Sequence, residues 1–326
     1  INTYARAGVR KVDVRRGAIV AEHAIPRLDN SSWGADGRLL VASHAGSIGQ
    51  MVACMELEHG ACGMPFEIFA LDPDLGVAEL VLRHEGAPMG GATVAVEHQG
   101  ALYVGTFEHG ADQAGHVYRY AGGTDWVDLG SPDRCNAVSA LGEHDGRLYA
   151  GGSFYSGRGS AQPISPNKNP GGRVFRYEGG DRWTDCGKIG DVYTVTGLVT
   201  FDGRLYATTC DSYGCPTRTE ACYRYEGGKK WTFVGNPGGR LGAFLVHNGN
   251  LYATVFGEQG FARYDGQAKW TPLGVVPNTG QTYSAVVYEG QICLGTWPTG
   301  TVFRFDGPNQ FASLGRLGVA KEVMAM

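Results

Sequence analysis

The chain has 326 residues, of which 52 are glycine and 43% are hydrophobic, and its formal net charge is −4. So small a charge at this size, with no run of Lys or Arg, argues against a nucleic-acid partner. No apolar stretch approaches the roughly 20 residues needed to span a bilayer, so no membrane partner is expected.

Taken in chain order, residues 1–6, 9–14 and 18–23 read as three strands that lack a partner ahead of them. A longer phrase then repeats: an apolar strand, a Gly-x-Leu-Tyr turn into a second strand, an aromatic-Arg-aromatic third strand, a glycine pair and a Trp. The turn stands at Gly100, Gly146, Gly203 and Gly249, with degenerate copies at Gly37 and Gly290, so that successive glycines lie 63, 46, 57, 46 and 41 residues apart. In the second unit the strands are expected over residues 93–97, 102–107, 116–120 and 126–129. The third-strand phrase recurs around Arg176, Arg224, Arg263 and Arg304, and the Trp recurs as Trp183, Trp231 and Trp270. Alternation at period two puts both rings on one face, where neighbouring sheets pack on them, and the Arg on the other.

A four-stranded unit repeated at this period is the signature of a β-propeller. Residues 321–326 read as a first strand with nothing after it. Joined to the three N-terminal strands they complete one blade, which predicts a single all-β domain over 1–326: a seven-bladed propeller closed by strands from both termini, with six blades as the alternative. Abrupt ends and the lack of an initiator Met also fit a fragment of a longer chain.

Eight cysteines are present. Cys54 and Cys62 flank one insertion while Cys210, Cys215 and Cys222 crowd another, which suggests loop disulfides, with Cys135, Cys186 and Cys293 left in strands. That pattern favours a secreted or periplasmic location over the cytoplasm. The long insertions at 45–65, 153–172 and 211–221 offer loop surface for a ligand or partner. His98, His144 and His247 fall near hairpin turns and are expected to face solvent.

The repeated Gly-Arg-Leu-Tyr-Ala, Tyr-Arg-Tyr-Glu-Gly-Gly and Trp phrases of residues 130–318 resemble kelch-type propeller repeats. Residues 9–108 are different. Val9-Arg10-Lys11-Val12-Asp13, then Leu28-Asp29-Asn30 ahead of Gly37-Arg38-Leu39-Leu40-Val41-Ala42-Ser43-His44, then Gly90-Gly91-Ala92-Thr93 ahead of Leu102-Tyr103-Val104-Gly105-Thr106, resemble the last two blades of paraoxonase and gluconolactonase-like propellers. Those are calcium-dependent lactonases and arylesterases. The resemblance implies that Asp29 and Asn30 bind calcium and that His44 ends the following strand as a base. The family's other ligands come from blades that this chain replaces.

Around the starts of the innermost strands, the register places Asp29, Asn30, Asn136, Tyr193, Arg240, Tyr283 and Glu322. Asp29, Asn30, Asn136 and Glu322 are hard oxygen donors of the kind calcium takes. This set predicts a calcium-assisted lactone or ester hydrolase in the central channel of a monomeric propeller, acting on a small-molecule or carbohydrate substrate. The Asp-Asn pair is also an ordinary turn former. A second reading uses Tyr193, Arg240, Tyr283 and His44 as a lyase for uronate-containing glycans, with Arg neutralising the carboxylate and Tyr and His moving protons. A third is a non-enzymatic binding propeller that uses its loops.

Overall fold

Each Gly-x-Leu-Tyr phrase closes a hairpin whose two central residues both take positive φ: Gln99–Gly100 at 50° and 74°, Asp145–Gly146 at 49° and 67°, Asp202–Gly203 at 48° and 64°, Asn248–Gly249 at 47° and 68°, Glu289–Gly290 at 47° and 74°. That is the type I′ turn, whose twist matches the flanking strands. In the computed structural model, residues 2–3, 8–13, 16, 18–33, 36–47, 49–50, 64–85, 91–108, 114–122, 125–153, 169, 171–209, 221–239, 241–256, 260–316 and 323 are described.

The strands are antiparallel and pair largely in sequence order. The first sheet holds β1 (Asn2–Thr3), β2 (Gly8–Asp13) and β3 (Ala18–His23). The second holds β4 (Leu28–Trp33), β5 (Leu39–His44), β6 (Phe66–Leu71) and β7 (Ala78–His84). Next come β8 (Gly91–His98), β9 (Ala101–Phe107), β10 (Val117–Gly122) and β11 (Asp125–Asp128). They join β12 (Ala137–His144), β13 (Arg147–Ser153), β14 (Arg173–Tyr177) and β15 (Trp183–Lys188) through the single pairing of Ala137 with Phe107. Three further sheets follow: β16 (Val195–Phe201), β17 (Arg204–Thr209), β18 (Cys222–Gly227) and β19 (Lys230–Phe233); β20 (Leu241–His247), β21 (Asn250–Val255), β22 (Phe261–Gly266) and β23 (Lys269–Gly274); and β24 (Gln281–Tyr288), β25 (Gln291–Trp297), β26 (Thr301–Gly307) and β27 (Gln310–Arg316).

The described residues therefore form six complete four-stranded blades and one three-stranded sheet, which matches the six-bladed alternative rather than the count of seven. Two compact units result: Ile1–His44, Glu67–Val81 and Gly235–Met326 in one, Ala45–Phe66 and Leu82–Val234 in the other.

Packing repeats from blade to blade. The first aromatic of each third-strand phrase is buried, as at Tyr118, Phe175, Tyr223 and Phe303. The second pairs with the fourth-strand Trp: Tyr120–Trp126, Tyr177–Trp183, Tyr225–Trp231 and Tyr264–Trp270, with centroids 5.0–5.3 Å apart. In the second unit two of these tryptophans tie their sheet to the one before, Trp183 Nε1 donating to the Leu129 carbonyl at 2.7 Å and Trp231 Nε1 to the Cys186 carbonyl at 2.8 Å. The intervening Arg faces outward onto an acid two residues on, as in Arg176–Glu178 and Arg224–Glu226. Solvent screens such exposed pairs and they add little, so the aromatic brackets matter more.

Sheets also approach closely through glycine. A Cβ at Gly151 in β13 would lie 2.7 Å from Cγ1 of Val195, the first residue of β16. Gly151→Ala is expected to lower stability by about 1–3 kcal/mol through overpacking, read as a lower urea midpoint at unchanged slope.

Candidate active site at the strand-start ends

In an antiparallel hairpin the start of the first strand lies beside the end of the second, so each blade carries those two termini at one end. Here the first strand of every four-stranded blade bulges. The register slips by one residue between Leu28 and Ser31, Ala92 and Val94, Val138 and Ala140, Val195 and Gly197, Leu241 and Phe244, and Thr282 and Ser284. The extra residues are therefore Asp29–Asn30 opposite Ala42, Thr93, Ser139, Thr196, Gly242–Ala243 opposite Thr254, and Tyr283. A bulge bends its strand and re-aims side chains, and bulges concentrate beside active sites.

Facing the bulges, the second strands end in buried hydroxyls: Ser43, Thr106, Ser153, Thr209, Thr254 and Thr296, all 0–1% exposed. They hold the ends of the chain segments that leave the blade. Thr106 Oγ1 accepts from the His116 amide at 2.9 Å. Thr209 Oγ1 accepts from the Ala221 amide at 3.1 Å and donates to the Ala221 carbonyl at 3.0 Å. Thr254 Oγ1 accepts from the Ala243 amide at the bulge, at 2.7 Å. The sequence reading missed this layer, although a Ser or Thr closing each second strand is visible in it.

In the first unit, His44 ends β5 beside the start of β4. Its amide donates to the Arg27 carbonyl at 3.0 Å, and Arg27 Nε donates to the His44 carbonyl at 2.8 Å. Asp29 and Asn30 occupy the β4 bulge, but their side chains lie outside the described residues, as do Arg240 and Glu322. Tyr283 is the bulge residue of β24, and its ring meets that of Phe256 edge-on at 5.1 Å. In the second unit, Asn136 immediately precedes β12 and is 1% exposed, its carbonyl accepting from the amide of buried Glu108 at 2.7 Å. Tyr193 lies two residues ahead of β16, with Lys188 Nζ 5.9 Å from its ring centroid. Asn136 and Tyr193 thus lie three residues ahead of the bulge residues Ser139 and Thr196, whereas Tyr283 is itself the bulge residue of its strand.

Other expectations are corrected. His98 and His144 are buried, 5% and 8% exposed, rather than facing solvent. The hairpin ends of neighbouring first strands interlock: His98 Nδ1 lies 2.7 Å from Glu143 Oε2 and His144 Nδ1 lies 3.2 Å from Thr200 Oγ1. Cys222 is a free buried thiol in β18 and takes no part in a loop disulfide; Cys135, Cys186 and Cys293 are likewise free. Burial pushes the Cys222 thiol well above its ordinary range. Cys54, Cys62, Cys210 and Cys215, and most of the three insertions, lie outside the described residues.

One further acid belongs to this end of the second unit. Asp133, in the turn before β12, accepts from the Cys135 amide through Oδ1 at 2.8 Å. Its Oδ2 is sealed from solvent without a hydrogen-bond partner among the described residues, and packs where a side chain on Gly152 would stand. Burial raises its proton affinity above that of an ordinary carboxyl. Among the described residues no group of three or more His, Cys, Asp or Glu side chains is arranged to hold a metal.

Blades of this construction define a β-propeller, and the comparisons agree. The chain is similar to a catalytically inactive variant of virginiamycin B lyase from Staphylococcus aureus solved with quinupristin: 12% identity over 96% of this chain and 89% of that one, TM-score 0.62. It is also similar to a structure described as a 6-phosphogluconolactonase from Bacteroides uniformis: 12% identity over 99% and 96% of the two chains, TM-score 0.63. No protein-family model and no curated protein matches. At such identities the likeness is one of fold, and it does not extend to kelch repeats. No helix among the described residues is long and apolar enough to cross a membrane.

Two measurements test this geometry. Thr209→Val strands the Ala221 amide and is expected to cost about 1–3 kcal/mol in chemical unfolding. Asp133 keeps its proton in the folded state at pH values where the unfolded chain has lost it, so its contribution to stability is complete at acid pH. That contribution declines as pH rises from the ordinary carboxyl value through the raised one. Asp133→Asn removes this dependence, so its stability relative to the parent should grow from pH 4 towards neutrality.

Proposed function

We propose that the chain hydrolyses a lactone or ester at the strand-start end of the β4–β7 blade, assisted by a bound calcium ion. The observation that carries the reading is local. Asp29 and Asn30 form the bulge of β4, and His44, whose amide bonds the Arg27 carbonyl and whose carbonyl accepts from the Arg27 guanidinium, ends the adjacent strand next to that bulge. One similar fold, described as a 6-phosphogluconolactonase, supports the reaction class.

The donor chemistry suits a hard cation. Asp29 and Asn30 at the β4 bulge offer oxygen, as do Glu322 and, in the second unit, Asn136 just ahead of β12. A calcium ion, when bound, would supply Lewis acidity to a carbonyl oxygen. His44 takes the proton from the attacking water, and its bonds to Arg27 fix where its strand presents the ring.

The same first-strand pattern recurs at Val323. The Val323 amide donates to the Thr296 carbonyl at 3.1 Å and its carbonyl accepts from Ser284 Oγ at 3.0 Å. A Cβ at Gly295 would lie 2.6 Å from Val323 Cγ1. Val195 stands in the same relation to Ser139 and Gly151 in the second unit, so Val323 takes a first-strand position.

One observation favours the lyase as the second reading. Tyr283 is itself a bulge residue, as a proton-transferring side chain at this end would require, with Arg240, Tyr193 and His44 completing that set. A binding propeller without chemistry is the third.

The purified protein is expected to contain calcium in stoichiometric amount and to melt lower after chelation. An Asp29→Ala, Asn30→Ala double variant should lose both the metal and the chelator response. His44→Ala should retain the metal while kcat on lactones and aryl esters falls about 10²–10⁴-fold. A metal-free protein whose double variant melts like the parent would sink the hydrolase reading and leave the lyase in front.

A further inference from the structure

The β8–β11 blade carries a pair of titratable side chains that takes no part in the hydrolase or lyase readings. His116 stands immediately ahead of β10 and Asp128 ends β11, both at the strand-start end. His116 Nδ1 lies 2.9 and 3.0 Å from the two carboxylate oxygens of Asp128. A carboxylate only accepts, so the imidazole proton sits on Nδ1 and the Nε2 lone pair is left open. No group among the described residues meets Nε2, and the side chain is 34% exposed.

The rest of the ring's setting is fixed. The His116 amide donates to Thr106 Oγ1 at 2.9 Å, and the His116 carbonyl accepts from the Thr106 amide at 3.0 Å. The Gly130 amide holds Asp128 by donating to Oδ1 at 2.8 Å, and the imidazole stacks on Tyr118 with ring centroids 6.0 Å apart. Burial first, then the charges of Asp128 and Glu108, pushes the Tyr118 hydroxyl up to about 12, so the phenol stays protonated and the imidazole is the proton acceptor of the pair.

The other blades separate this dyad from the scaffold. Asp128 is opposite Tyr118, and His116 stands two residues ahead of Tyr118. The corresponding pairs are Arg173 and Asp185, Ala221 and Phe233, Gly260 and Pro272, and Thr301 and Ser313. Three of those blades hold together with no charge at this place. Arg173 and Asp185 are also an ion pair, but Asp185 binds Lys229 of the following blade at 2.6 Å and so ties two sheets. The hydrogen bonds of Asp128 go to His116 and to Gly130 in its own turn. Such a half-exposed pair adds little stability; what it does is orient one imidazole.

An imidazole oriented by a carboxylate through Nδ1, with Nε2 open, is the arrangement of a general base. One base suffices where the leaving group departs without prior protonation, as an aryl oxide does. We propose that the His116–Asp128 dyad is a second catalytic centre, which hydrolyses aryl esters of small carboxylic acids. The oxygen of a water molecule bonds to the acyl carbon as Nε2 takes its proton. The tetrahedral adduct then expels the aryl oxide by breaking the acyl C–O bond, and the proton on Nε2 passes to that oxide. The Asp128 carboxylate balances the imidazolium between the two steps. The products are an acid and a phenol, and the dyad is returned unchanged. None of the residues assigned to calcium takes part.

Phenyl acetate and p-nitrophenyl acetate are the probes, assayed on protein kept in excess chelator so that a calcium-dependent centre is silent. The chelated parent should turn both over faster per site than free imidazole does. His116→Ala should lower kcat/KM about 10²-fold. Asp128→Asn keeps the imidazole but removes the charge that balances it, and should lower kcat about tenfold with KM little changed. Arg173→Ala, at the corresponding place of the next blade, should leave the rate unchanged. A chelated parent no faster than free imidazole, or a folded His116→Ala that matches the parent, overturns the centre. Activity that disappears entirely on chelation overturns it as well, while favouring the calcium reading. Should His116→Ala not fold, Asp128→Asn decides, and a parent-like kcat there overturns the proposal.

Discussion

Where one blade of the second unit meets the next, a second-strand glycine receives a valine from the following first strand. A Cβ at Gly105 would lie 2.6 Å from the Val138 carbonyl oxygen, and one at Gly151 2.7 Å from Val195 Cγ1. Interiors this dense leave no slack, so the distance between sheets is set at these points. Farther out, the Trp183 and Trp231 indoles tie their blades to the preceding one through the Leu129 and Cys186 carbonyls.

That tight contact forces the first strands to depart from a regular ladder. A straight strand would carry strict alternation through its whole length, whereas here every first strand gains one residue near its start. The residue gained differs from blade to blade: a carboxylate and an amide in β4, a hydroxyl in β12 and β16, a phenol in β24. Scaffold and chemistry are thereby separated. Buried Ser and Thr at the ends of the second strands satisfy the backbone in every blade, and the bulge positions are left to vary.

The proposed reactions use different parts of the same construction. His44 and Trp297 hold equivalent places, each following the buried hydroxyl that closes its second strand, Ser43 in one blade and Thr296 in the other. One position carries an imidazole suited to proton transfer and the other an indole. A repeat fold gives such diversity at no cost to its core, because the packed positions Val41 and Leu294 lie earlier in those strands.

Much of this was legible in the chain. The Asp-Gly and Asn-Gly hairpins, the alternation in each third strand and the recurrent Trp follow from short-range rules of backbone sterics and period-two burial, and they determined an all-β repeat with its strand boundaries. They also placed Asn136, Tyr193 and Tyr283 near the starts of first strands. What the sequence did not carry depends on contacts between blades. The bulges shift register without changing composition, and His98 and His144 are buried because Glu143 and Thr200 of a following first strand cover them. Cys222 is a strand thiol rather than a loop staple because β18 takes it inward. Local propensity is written residue by residue, whereas the company a side chain keeps across a sheet exists only once the sheets have packed.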